Sequence, residues 1–193
     1  MASRYDDELW ELVPEERGPP PEHLRRFVRS LGAVERALDL GCGDGRLTLE
    51  LDAGTITAAD VSAVALARAR RSLASWTELV ELEPDAPLPL ADSSFDLVLC
   101  AETLEHVRDV QLLLSEARRV LHPSGRLAVT TPAHGRTTAL RAAVRGFGSA
   151  FDPLSAHLRF FTANSLRSLL AEMGFELESL RRERSSLLAV ARR

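Results

Sequence analysis

Three side chains that can bind protons or metal ions lie within five residues of one another in "CAETLEHV", Cys100 to Val107: Glu102, Glu105 and His106. A helix starting at Glu102 would space them at i, i+3 and i+4 and put them on one face. That geometry suits a metal site, an acid/base site, or simply the first turn of a helix. His134 and His157 are further groups that titrate near neutral pH. Which chemistry applies depends on the elements that carry these residues.

Those elements alternate. "RALDL" reads as a short strand, followed by the glycine-rich "GCGDG" and by "RLTLEL", which reads as the start of a helix. "TITAAD" is a second strand, with β-branched Thr55, Ile56 and Thr57. "SAVALARARRSLASW" reads as a helix with Ser62 as its N-cap. "ELVEL" and "FDLVLC" are the third and fourth strands, "VQLLLSEARRVL" a helix that stops at "HPSG", and "RLAVTTP" the fifth strand. Strands alternating with helices predict an α/β fold, a parallel sheet with helices on both faces. Upstream, "RGPPPEH" is a proline break into a helix carrying Leu24, Phe27, Val28 and Leu31 at helical spacing. Downstream, "ANSLRSLLAEMGF" is a helix ended by Gly174, and "FELESL" and "SSLLAVA" close the chain as strands. The segment from 133 to 162 breaks this rhythm, and long excursions in α/β domains are usually functional.

Composition narrows the chemistry. At 193 residues the chain reads as one domain, 1–193, with an N-terminal lid or helical segment at 1–35. The net charge of −4 argues against a nucleic-acid-coating surface. From His134 onward there are ten Arg against five Asp or Glu, a local +5 that leaves −9 for the first 133 residues. That excess would suit an anionic acceptor, with Arg136, Arg141, Arg145 and Arg159 as its contacts; a solvated helix face explains it equally well. There is no lysine, which excludes a lysine Schiff base and a P-loop lysine. Two cysteines, Cys42 and Cys100, are too few for a disulfide scaffold. The charged start and the lack of a long apolar run predict a cytoplasmic chain with no signal peptide and no membrane span.

"LDLGCGDG", Leu38 to Gly45, supplies a strand that ends in Gly41, Gly43 and Gly45, where the backbone can turn tightly and approach a ligand. The third glycine comes one residue earlier than in the dinucleotide fingerprint, which disfavours an NAD(P) dehydrogenase. Asp60, ending the second strand, can accept both hydroxyls of a ribose.

In their order, "LDLGCGDG", "AAD", "SSFDLVLCAETLEHV" and "VLHPSGRLAVTTP" resemble the motifs of class I S-adenosylmethionine-dependent methyltransferases, and "HLRFFTANSLRSLLAEMGF" resembles the tail of that group. The likeness is greatest to small-molecule enzymes of the ubiquinone-biosynthesis O-methyltransferase type, and fainter to nodulation-factor N-methyltransferases. It implies a Rossmann-like sheet of seven strands, mostly parallel with an antiparallel last strand, and S-adenosylmethionine as cofactor. By this resemblance Asp39 and the main chain of Gly41, Cys42 and Gly43 hold the methionine end, and Asp60 the ribose. Val61 packs on adenine, Asp85 accepts from its amino group beside Ala86, and Ala101 and Glu102 lie by the sulfonium. "DAPLP", which carries Asp85, is a residue shorter than the usual segment.

The expected activity is methyl transfer to an oxygen or nitrogen of a small-molecule acceptor, with His106 and His157 as catalytic candidates and Arg136 and Arg159 as acceptor contacts under the 133–162 segment. No metal is expected. The competing reading is a metal-dependent RNA 3′-terminal 2′-O-methyltransferase, whose ligand pattern would fall on Glu102, Glu105, His106 and His157. A non-catalytic cofactor-binding module is the third. Tyr5 and Trp10 in "RYDDELW" are either a lid over the cofactor or an apolar anchor.

Overall fold

The computed structural model describes residues 2–135, 138, 140, 143, 144, 146 and 156–193, with the side chains of 2–4 left aside. Seven strands form one sheet in the order β3-β2-β1-β4-β5-β7-β6. They are β1 Val34–Leu40, β2 Ala53–Asp60, β3 Glu78–Glu81, β4 Phe95–Ala101, β5 Leu121–Pro132, β6 Glu176–Glu183 and β7 Ser186–Arg192. Strands β1 to β5 pair in parallel, and β7 runs antiparallel to both β5 and β6. The strand order reverses beside β1, so the carboxyl ends of β1 and β4 diverge there and open a crevice.

Period-two alternation sorts the side chains of the central strands onto two faces. Leu38, Val98, Leu127 and Val129 pack with Leu114 of α4 (Val110–Val120) and with Leu166 and Leu170 of α5 (Ala163–Glu172). On the other face Ala37, Leu97, Leu99 and Ala128 meet Leu24, Phe27, Val28 and Leu31, around α2 (Glu22–Arg29). Each fully buried Leu contributes about 1.5–3 kcal/mol. Ser62 caps α3 (Ala63–Ser72) as expected, its hydroxyl accepting from Ala65 N at 3.1 Å. Gly174, at φ +77°, follows the end of α5.

Three local expectations need correction. "RLTLEL" makes only one 3₁₀ turn, Thr48–Glu50, because Leu51 is already extended and β2 starts at Ala53. The fifth strand takes in "HPSG" through an irregularity in its pairing with β4 between Phe95 and Leu97. No helix starts at Glu102: residues 104–106 form a turn, and α4 begins only at Val110, where Asp109 accepts from Leu112 N at 2.9 Å. The reason lies at Glu102 itself, whose φ of +52° is incompatible with a right-handed helix. In the excursion, Thr138, Leu140, Ala143 and Val144 are helical. Among the described residues no helix is long and apolar enough to cross a membrane.

Candidate functional site

The turn after β1 is shaped by two glycines. Gly41 and Gly43 have φ of +81° and +56°, and a Cβ would lie 2.4 Å from the Thr103 side chain at Gly41 and 2.7 Å from the Trp10 indole at Gly43. Only glycine fits between these neighbours with that backbone. The Gly43 N–H points at Asp60, which ends the adjacent strand β2, and donates to its Oδ2 at 2.8 Å; Ser62 N donates to Oδ1 at 2.9 Å. Burial raises Asp60 to about 6, although these amides favour its charged form. Asp39, at the end of β1, is more strongly affected. Burial raises it to about 7 against the opposing hydrogen bond from Thr48 Oγ1 to its Oδ2 at 2.5 Å.

A cavity of about 750 Å³ runs from this turn to the end of β4, and Gly41, Gly43, Asp60, Val61, Asp85, Ala86, Glu102 and His106 are in its lining. Its size suits a nucleoside cofactor together with an acceptor. Cys42 is absent from that lining: its side chain packs with Ala58 and Leu66. Helix α1 (Ala2–Leu12) adds Tyr5, Asp6, Leu9 and Trp10 to the lining. It is fastened by Asp7, which accepts from Ser62 Oγ at 2.6 Å and Val64 N at 3.2 Å at the start of α3. Arg17 and Arg68 place their guanidinium carbons 5.2 and 5.7 Å from the Trp10 ring centroid, within cation–π range.

Asp85, also at positive φ, pairs with Arg108 at 2.6 Å across the mouth of the cavity. Its carboxylate thus carries a guanidinium that nothing in the chain's spacing announced.

At the far end, Glu102 folds back on β5. Its N–H donates to the Thr130 carbonyl at 2.8 Å, and Thr130 Oγ1 donates to its Oε1 at 2.9 Å. Glu105 is 1% exposed, with Oε2 accepting from Thr131 Oγ1 at 2.9 Å. Burial raises both glutamates to about 7, the proximity of Glu105 adding to the effect on Glu102. His106 Nδ1 lies 3.0 Å from the Ala156 carbonyl. A carbonyl only accepts, so Nδ1 carries the proton, and Nε2 is left with its lone pair. Burial depresses the pKa of His106, and of His157, whose ring meets it edge-on at 4.8 Å between centroids.

The structure therefore brings together Glu105, His106 and His157 but not Glu102, so the four-residue ligand pattern is not assembled. Arg159 lies at the same end with its guanidinium donating to the carbonyls of Val107 and Arg108, which pins the turn. Arg136, Arg141 and Arg145 fall outside the described residues. Thr103, Arg108, Thr130 and Thr131 were not singled out from sequence. For the two threonines a signal existed, since "VTTP" puts hydroxyls at the strand end that faces "CAETLEHV".

A glycine turn after the first strand, a buried carboxylate ending the second and a crevice beside them define a nucleoside-cofactor site of the doubly wound α/β class. Known proteins agree. The family described as Methyltransferase domain matches residues 38–129. A malonyl-[acyl-carrier protein] O-methyltransferase of Geobacter sulfurreducens is 33% identical over 147 residues, covering 72% of this chain and 55% of its own length. A 2-phytyl-1,4-naphtoquinone methyltransferase of Thermosynechococcus vestitus is 30% identical over 161 residues, covering 72% of each. The crystal structure of an S-adenosylmethionine-dependent methyltransferase from Mesorhizobium loti superposes with a TM-score of 0.67 at 23% identity, over 89% of this chain and 96% of that one. The chain belongs to the S-adenosylmethionine-dependent methyltransferase family. It spans about half the length of several of the curated relatives it matches, 55% and 50% in two of them.

Proposed function

We propose that this chain transfers a methyl group from S-adenosylmethionine to an oxygen or nitrogen of a small-molecule acceptor. The observation that carries the reading is the single cavity joining Gly41, Gly43 and Asp60 at one end to Glu102 and His106 at the other. The cofactor, when bound, supplies a methyl group already activated by a positive sulfur. The residues then have mainly to hold and orient, since alignment of attacking and leaving atoms alone can supply effective molarities of ~10⁵ M or more.

In this reading Asp60 accepts the ribose hydroxyls, and its two backbone N–H partners fix the carboxylate for that task. Val61 and Ala86 flank the adenine, with Asp85 beside them. Asp39 and the main chain of residues 41–43 take the methionine end, and its ammonium compensates the buried Asp39 carboxyl. Ala101 and Glu102 border the methyl. Residues 1–35 act as a lid whose Trp10 presses on the glycine turn. Residues 133–162 form the acceptor side, with Arg136 for an anionic group. Arg159 acts there through the turn it pins rather than by touching the acceptor. His106 and His157 stand beside the acceptor, and the Nε2 lone pair of His106 is the place to which a hydroxyl proton can pass.

The relatives' names speak of O-methylation of a carrier-bound malonyl group and of methylation of a naphthoquinone, so different acceptors occur among them. Incubation with S-adenosylmethionine and an acceptor panel that includes free carboxylic acids, phenols and amines tests the reading by mass spectrometry. Gain of one methyl mass by a panel member supports it. Cofactor binding with no transfer to any class would favour a binding module instead.

A further inference from the structure

The turn after β4 and the chain at 156–159 bring three metal-ligating side chains to one point. The geometry points to a site for one divalent transition-metal ion, of the zinc, cobalt or manganese kind, held by Glu105, His106 and His157 at the acceptor end of the cavity. One ligand atom from each of the three lies within 4.8 Å of the others.

Burial supplies the first argument. Glu105 is 1% exposed, and the imidazole nearest its Oε1 in the turn is that of His106, whose Nε2, 3.9 Å away, carries a lone pair rather than a proton. A carboxylate withdrawn from water is costly unless a cation meets it. Among the described residues the arginines of this neighbourhood do not supply one: Arg108 is paired with Asp85, and Arg159 is spent on the carbonyls of Val107 and Arg108.

The second argument lies behind the ligands. Thr131 holds Oε2 of Glu105, and the Ala156 carbonyl holds Nδ1 of His106, so that in each case the other ligating atom is the one left to face the centre. A metal-binding imidazole is typically oriented in this way by a carbonyl at its far nitrogen. The two chain segments are also tied together: Leu158 N and Arg159 N donate to the Glu105 carbonyl at 2.7 and 3.1 Å. Backbone hydrogen bonds thus set His157 opposite the Glu105–His106 pair.

Two imidazoles and one carboxylate suit zinc and its neighbours better than magnesium, and three protein ligands leave a position open. Bonds of about 2.1 Å would require the donor atoms to draw together by roughly 1 Å. His157 is only half-buried, so its side chain is not locked in the core. His106 lines the cavity, so the open position faces the acceptor. There a cation would hold an acceptor's oxygen and lower the pKa of its hydroxyl, whose proton would leave to solvent water, with Nε2 of His106 then a ligand and not a base; this role rests on the methyl-transfer reading, whereas the cation site does not.

Untagged, chelator-treated protein titrated with Co²⁺ tests the site directly, by visible ligand-field absorption and by calorimetry. One ion per chain should bind, with Zn²⁺ displacing it. His157→Ala and His106→Ala should each weaken binding at least roughly tenfold, as should Glu105→Gln, checked for folding by its melting temperature. His122→Ala, on the exposed imidazole bonded to Ser124, should leave binding unchanged. Absence of a Co²⁺ spectrum at millimolar metal would overturn the proposal, and so would a spectrum that His157→Ala and His106→Ala leave intact. Methyl transfer is not needed for either result.

Discussion

The two ends of the cavity are built differently. The cofactor end hangs on the sheet: Asp39 and Asp60 lie near the ends of two strands paired in parallel, and the glycine turn between them is braced by Thr103 and Trp10. The acceptor end hangs on a turn and a returning segment, fastened by the Glu105 carbonyl, the Ala156 carbonyl and the Arg159 guanidinium. Strand ends fix position through many cooperative ladder bonds, whereas the turn depends on a few long-range contacts. Such a division lets one fold keep its cofactor while the acceptor changes, which agrees with the different acceptors named among the relatives.

The largest effect expected from that contrast is on stability against pH. Asp39 is raised from 3.8 to about 7, so the folded state holds its proton more tightly than the unfolded chain does. Stability should therefore fall as pH climbs from about 4 to about 7, by up to about 4 kcal/mol from this group alone. Asp39→Asn removes that slope, and urea midpoints at both pH values would check it. A wild-type slope equal to that of the variant would break the claim that Asp39 is buried without a compensating charge.

Next is cofactor affinity. Asp60→Ala should weaken S-adenosylhomocysteine binding about 10- to 150-fold, the worth of one hydrogen bond to a charged group at about 1.5–3 kcal/mol. Gly43→Ala drives a methyl into Trp10 and should cost about tenfold, with a change in tryptophan fluorescence. The double variant with Trp10→Ala should recover part of that loss, since the two sites are in contact. Additive losses would mean that α1 does not press on the turn.

The smallest effect at the cofactor end sharpens the comparison from the other side. Arg159→Ala frees the turn at 104–108 and should alter acceptor turnover while S-adenosylhomocysteine affinity stays within about twofold. An equal loss of cofactor affinity would show that the two ends are not separable.

What could be read from sequence follows the same division. The glycine turn, Asp60, the Ser62 cap and the strand alternation were legible, because local propensity and period carry them. The turn at Glu102 was not. Its positive φ is stabilised by Thr130 from a strand 28 residues away, and nothing local distinguishes "ETLEHV" from a helix start. A charge count makes Arg159 an anion contact and says nothing of the carbonyls of Val107 and Arg108 that it meets in the fold. The single turn after the glycines is not legible because "RLTLEL" has good helix formers, and only the nearness of β2 cuts it short.

The central claim is a nucleoside-cofactor site built on Asp60 and the glycine turn, and calorimetric titration tests it most directly. S-adenosylhomocysteine should bind one per chain, NAD should not bind, and Asp60→Ala should lose most of the affinity. Binding of NAD alone, or S-adenosylhomocysteine binding that Asp60→Ala leaves unchanged, would contradict the account.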